Sequence, residues 1–127
     1  MTPDNLLILW MLSALFIKHW LADFAYQTSN ELKYKGVYGH LTGLNHSIKH
    51  GIATTFIFAI CSWPLGIALL LGSVDTMLHY HIDWAKSNFG NKDPAQQSFW
   101  VHLGLDQLMH AFTYLLLVYM SFQFHDA

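Results

Sequence analysis

His46 and His50 stand four residues apart at the head of an apolar run, HSIKHGIATTFIFAIC. The spacing recurs. His19 and Asp23 are followed by Gln27; Asp75, His79 and Asp83 form a second series; His102, Asp106 and His110 form a third. On an α-helix, residues four apart lie about 40° apart around the axis and share a face. Imidazole nitrogen and carboxylate oxygen together suit Zn²⁺, Mn²⁺ or Fe²⁺, as one ion or two. A metal so held supports hydrolysis, because it lowers the pKa of a water and polarises the scissile bond. The same residue types also build proton relays.

These stripes need helices, and the composition says of what kind. Of 127 residues, 54% are hydrophobic and 11% charged, against about 25% charged in an ordinary soluble domain. Four stretches reach the roughly 17–25 residues a membrane helix needs: 5–25, 45–63, 65–85 and 99–122, with Pro64 stopping the second. The expected fold is all-α: a four-helix transmembrane bundle of antiparallel up-down topology, forming one integral membrane domain over 1–127. A soluble bundle would show polar outer faces at helical period, and LLLGSVDTMLHY and AFTYLLLVYM show none. Lys33, Lys35 and Lys49 lie in or beside the first connection, Lys86 and Lys92 in the third, and Lys18 near enough to snorkel to the same side. The lysine side is therefore cytoplasmic by the positive-inside rule, which places both termini outside a cell inner membrane. The net charge of −2 and the absence of arginine speak against nucleic acid and against a bidentate phosphate clamp. Cys61 is a lone cysteine without an internal disulfide partner and reads as a small apolar helix residue.

Antiparallel threading brings the polar end of every span to the lysine side, so the stripes meet at similar depth. Facing lipid, the set would cost on the order of 10–20 kcal/mol; the residues must face inward and satisfy one another or a cation. The expected ligands are His19, Asp23, His46, His50, His79, Asp83, Asp106 and His110. Asp75, one turn from His79, is expected to orient a ligand imidazole, and Gln27 and Gln107 to orient substrate or water. His81 points away from His79; His40 falls in the connection, His125 in the tail, and His102 at the aqueous edge. Gly36, Gly39 and Gly43 read as flexible turns rather than a phosphate loop.

In order along the chain stand HWLADFAYQ (His19 to Gln27), HSIKH (His46 to His50), HYHIDWAK (His79 to Lys86) and DQLMH (Asp106 to His110). The set resembles the small bacterial and phage membrane proteins grouped as domain of unknown function 3307, and more loosely the membrane-bound metal-dependent hydrolases. The resemblance implies a multi-span membrane protein of unassigned activity, with marked positions at His19, Asp23, Gln27, His46, His50, His79, Asp83, Lys86, Asp106, Gln107 and His110, and a connection lysine at Lys33 or Lys35. Tyr26 departs from the family's usual aliphatic residue.

One expected activity is a membrane-embedded metal-dependent hydrolase. Asp23 or Asp106 would be its general base, and Lys86 with Lys35 would attract an anionic or phosphoester substrate. The alternatives are a proton or divalent-metal transporter, which would need polar residues through the outer half as well, and a non-enzymatic membrane factor that uses metal to hold its fold. Expected partners are the lipid bilayer, an unknown substrate and a second copy of the chain.

Overall fold

Thr2 begins the first helix: its side chain accepts from the Asn5 N–H, and Pro3 occupies the first turn, where its missing N–H costs nothing. The computed structural model describes residues 2–125; residues 1, 126 and 127 of the expected domain lie outside the described residues. Five helices follow one another, with no strand among the described residues. They are α1 (Pro3–Trp20), α2 (Ser29–Tyr34), α3 (Leu41–Ile60), α4 (Leu65–Phe89) and α5 (Gln97–His125). A π-helical turn, Leu21–Ala25, continues α1 and carries Asp23. Such turns re-aim side chains and are frequent at functional sites.

The helices α3 and α4 pack most extensively, α5 lies against α4, and α1 closes the ring against α3 and α5. Between α3 and α4 the chain turns through Cys61 and Ser62, which takes a positive φ of 69°. Cys61 thus ends a helix rather than sitting within one, and α3 stops at Ile60, earlier than Pro64 alone implied. Pro64 instead caps the start of α4. Both α4 and α5 run longer than the expected 65–85 and 99–122.

Three stretches are long and apolar enough to cross a membrane: Asp4–Ala25, Leu65–Phe89 and Gln97–Phe124. The expectation of four differs at α3, which has 20 residues but spends its first half on Asn45, His46, Ser47, Lys49 and His50. The connection before it is also more ordered than a string of turns. Thr28 and Glu31 form a capping box that nucleates α2, and Gly43 lies inside α3 against the backbone of Lys35. Only Gly39, with φ 79°, needs the left-handed freedom of glycine.

The interior divides in two. Met11, Leu15, Phe58, Leu71 and Leu117 fill one half with apolar side chains, and Trp63 ties its edge by donating from Nε1 to the Ser121 carbonyl at 2.9 Å. The other half holds the histidines and carboxylates. Both halves depend on the close crossing of α3 and α4 at Gly51 and Gly72. A Cβ at Gly72 would stand 2.5 Å from the Gly51 carbonyl oxygen, and one at Gly51 the same distance from the Gly72 oxygen. Gly72→Ala is therefore expected to destabilise the protein by about 1–3 kcal/mol, the usual cost of overpacking. Gly104→Ala, where a Cβ meets nothing within 4 Å, is expected to be neutral or slightly stabilising. Thermal unfolding of the two variants in detergent checks the contrast.

Candidate metal centre

The polar half is built around Asp23, which the π-helical turn points into the bundle. Its Oδ1 lies 2.9 Å from His46 Nε2, 2.9 Å from His50 Nε2 and 3.4 Å from His79 Nε2. Its Oδ2 lies 3.4 Å from His19 Nε2. A second carboxylate, Asp83, lies with Oδ2 3.4 Å from both His46 Nε2 and His79 Nε2, and with Oδ1 3.3 Å from His110 Nε2. Asp106 Oδ1 is 3.6 Å from His110 Nε2. His50 and His79 stack at 3.6 Å between ring centroids. The helices supply these groups as the four-residue spacing demands: His46 and His50 from α3, His79 and Asp83 from α4, Asp106 and His110 from α5.

The donor atoms fall into sets small enough for one ion. Asp23, His46, His50 and His79 present atoms all within 4.8 Å of one another; so do Asp23, His79, Asp83 and His110, and so do His19, His79 and His110. Ligands about 2.1 Å from a metal stand about 3.0 Å apart in an octahedron and about 3.4 Å in a tetrahedron, close to the separations above. Several of these atoms are also orphans. Both oxygens of Asp83, Asp106 Oδ1 and His110 Nε2 are buried without a hydrogen-bond partner among the described residues. Buried polar atoms are nearly always paired, and a divalent cation is the partner that this donor set fits. His79 belongs to all three sets and Asp23 to two of them, so the cluster has donors enough for one ion or two.

Beneath the cluster, Lys18 does not snorkel to an aqueous surface. It is buried, because α1 aims it between α3, α4 and α5. Its ammonium donates to Asp75 Oδ2 at 2.7 Å and to the Tyr114 hydroxyl at 3.3 Å, and lies 3.2 Å from His50 Nδ1. Thr54 also donates to Asp75. Asp75 therefore orients an imidazole, but through Lys18, and the imidazole is His50 rather than the neighbouring His79. The Tyr114 hydroxyl, accepting from Lys18, donates to His19 Nδ1 at 2.8 Å. His19 Nε2 then carries the hydrogen and donates to Gln107 Oε1 at 3.0 Å, and Gln107 donates to Asp106 Oδ2 at 3.0 Å. This chain makes His19 a link between the bundle's interior and Asp106, and leaves both of its ring nitrogens engaged.

On the other side the cluster is closed by the first connection. Glu31 lies with Oε1 3.8 Å from His46 Nδ1 and forms an ion pair with Lys49. Burial pushes the Glu31 carboxyl up, but hydrogen bonds from Lys49 and the Thr28 N–H outweigh it and hold the carboxyl below its usual range. Lys35, not Lys33, is the connection lysine that reaches inward: it is buried, with Nζ 3.4 Å from Asp83 Oδ2. Asp83 thus pairs with Lys35 and not with Lys86 on its own helix. With its amide oriented to satisfy both neighbours, Gln27 donates to the Asp23 carbonyl at 3.0 Å and accepts from Lys35 at 3.3 Å. A pocket of ≈ 270 Å³ opens here, lined on its polar side by Asp23, Gln27, Lys35, Lys86, Asp106 and Gln107.

His40, His81 and His102 stand apart from this cluster. His81 is exposed, bonded to Tyr38 and to the Met77 carbonyl. His40 caps α3 by accepting from the Thr42 N–H, and His102 accepts from the Asn91 N–H. Sequence reasoning missed Lys18, Thr54, Glu31 and Tyr114 as parts of the site. Two of them carried a signal, since Thr54 follows His50 by four residues and Tyr114 follows His110 by four.

The family model described as Protein of unknown function (DUF3307) matches residues 11–127. The chain belongs to the DUF3307 family. Comparison with curated proteins and with solved structures returns no match. The matched region of this DUF3307 chain takes in every member of the cluster, from Lys18 to Tyr114.

The Lys18–Asp75 pair is the part of this architecture most exposed to mutation. Lys18→Met leaves a buried carboxylate without its cation and is expected to destabilise the protein by about 3–5 kcal/mol. Adding Asp75→Leu removes the stranded charge and is expected to restore most of that loss. A double-mutant cycle by denaturation in mixed micelles measures the difference.

Proposed function

We propose that the protein is a membrane-embedded metal-dependent hydrolase whose site opens toward the cytoplasmic face. The observation that carries this reading is the convergence of buried histidine Nε2 atoms on Asp23 and Asp83, with carboxylate oxygens left unpaired beside an open pocket. In this reading α1, α3, α4 and α5 form an antiparallel transmembrane bundle, a single domain in the inner membrane with both termini outside. Its support is the three apolar stretches and an outer surface bearing exposed Leu6, Trp10, Phe56, Leu69 and Tyr119. Exposed apolar area of that extent belongs against lipid.

The roles follow from what each side chain already touches. His46, His50, His79, His110, Asp23 and Asp83 would hold the cation, Zn²⁺ or Mn²⁺/Fe²⁺, as one ion or two. Such a cation supplies Lewis acidity and a water of lowered pKa. Asp106 is the general base: its Oδ1 accepts no hydrogen bond, with His110 Nε2 3.6 Å away, and it borders the pocket, whereas Asp23 is already engaged by four imidazoles. Gln107 holds Asp106 by donating to its other oxygen, and His19 holds Gln107. Lys35 and Lys86 border the same pocket and attract an anionic or phosphoester substrate. The apolar half built on Met11, Leu15, Phe58, Leu71 and Leu117 argues for a one-ended site over a conducting path, which would need polar groups on both sides.

Elemental analysis of detergent-purified protein tests the centre. Wild type is expected to retain about one or two equivalents of a divalent transition metal. His50→Ala and Asp83→Ala are expected to lose at least about ten-fold in metal affinity, the scale on which even supporting residues act, while His81→Ala loads as wild type. Full loading of both site variants would overturn the proposal.

A further inference from the structure

The polar pocket is not isolated. Between α4 and α5 runs a second cavity of ≈ 390 Å³, whose walls include Ile82, Ala85, Phe89, Leu105 and Met109. Lys86 and Asp106 line both cavities, so the apolar crevice and the polar pocket meet at those two side chains. The crevice faces outward: Phe89, Leu105 and Met109 are 75%, 54% and 44% exposed. Two cations stand where the cavities meet and at the pocket's far side, Lys86 and Lys35. A mostly apolar crevice that adjoins a pocket bordered by two lysines matches the layout of an amphiphile: one hydrocarbon chain, then an anionic head.

We propose that the substrate is a membrane-resident amphiphile with a phosphate-ester head, its alkyl chain in the α4–α5 crevice and its phosphate between Lys86 and Lys35. The inference rests on the metal-centre reading above, because Asp23, Asp83 and Asp106 would repel a phosphate unless a cation offsets their charge. A free phosphate would need the polar pocket alone. Only an amphiphile uses the apolar walls, and each methylene it buries adds affinity through the hydrophobic effect. Exposed Leu105 and Met109 then meet the alkyl chain of the substrate or, without it, a bilayer acyl chain, and the substrate reaches the site sideways from the membrane.

The test uses the full chain in phosphatidylcholine nanodiscs, saturated with Zn²⁺, with empty nanodiscs as the partition control. Inorganic phosphate, butyl phosphate and dodecyl phosphate are titrated by calorimetry. Dodecyl phosphate is expected to bind at least about ten-fold more tightly than butyl phosphate. Ala85→Phe and Leu105→Trp, which fill the crevice from either helix, are expected to bring that ratio to within about three-fold while leaving inorganic phosphate binding unchanged. Lys86→Gln weakens all three ligands. A wild-type ratio near one, or a ratio that neither crevice variant alters, overturns the inference. Zinc content measured on the same samples separates the two readings. Zinc retained without chain-length preference sinks the amphiphile and leaves the metal centre standing. Chain-length preference without zinc overturns the metal centre and with it the phosphate's place between Lys86 and Lys35, leaving only an alkyl-binding crevice. Loss of both overturns both.

Discussion

Everything in the polar half of this protein follows from one carboxylate. Asp23 accepts the approach of four imidazoles, His46 and His50 from α3, His79 from α4 and His19 from the end of α1 just before it. A buried charge is tolerable only with compensating partners, and a low dielectric makes both the cost and the compensation large. Once Asp23 is turned inward by the π-helical segment, α3 and α4 must present His46, His50 and His79 at its level. Asp83 and His110 extend the same logic to α5. The cluster thus sets the register of the helices around it, much as a polar residue at a core position sets the register of a coiled coil.

The rest of the interior is arranged to let that cluster exist. Gly51 and Gly72 bring α3 and α4 into backbone contact, which puts their imidazoles within stacking distance. The apolar half seals one side, where the Trp63 indole and the Ser121 hydroxyl are satisfied by backbone carbonyls. At the boundary, Lys18 neutralises Asp75 and fixes Tyr114, and through Tyr114 and His19 the chain of hydrogen bonds runs to Gln107 and Asp106. A buried ion pair is weak evidence for stability, but here it supplies orientation, since Lys18 lies against His50 Nδ1 and Tyr114 against His19 Nδ1, with each Nε2 turned toward Asp23.

The opposite side shows a different economy. The first connection folds back over the cluster, with Glu31 beside His46 and Lys35 on Asp83. It is fastened by a capping box and by the pair with Lys49 rather than by an apolar core. Loops held by polar contacts open more readily than packed helices. The pocket lies between this connection, α4 and α5, so the route to the proposed catalytic group, Asp106, passes a wall held by polar contacts.

Much of this was legible in the residues. The four-residue spacing of His and Asp placed each ligand type on one helix face, and the cost of turning such a stripe outward placed the faces inward. The all-helical architecture followed from long apolar runs, whereas the first connection read as flexible turns and its short helix α2 was not foreseen. What periodicity along one helix does not contain is which groups pair between helices. Lys18 read as a residue reaching for water because lysine usually does; only the packing of α1 against its neighbours set an aspartate 57 positions away within 2.7 Å. The same holds for Lys35, which pairs with Asp83 across the bundle while Lys86, a turn along from Asp83, does not. The sequence by itself determined that imidazoles and carboxylates would be buried, because transfer free energy depends on residue type. The tertiary structure alone decided which of them share a proton, a cation or a lysine, because electrostatic and hydrogen-bond energies depend on distances of a few ångströms between chain-distant atoms.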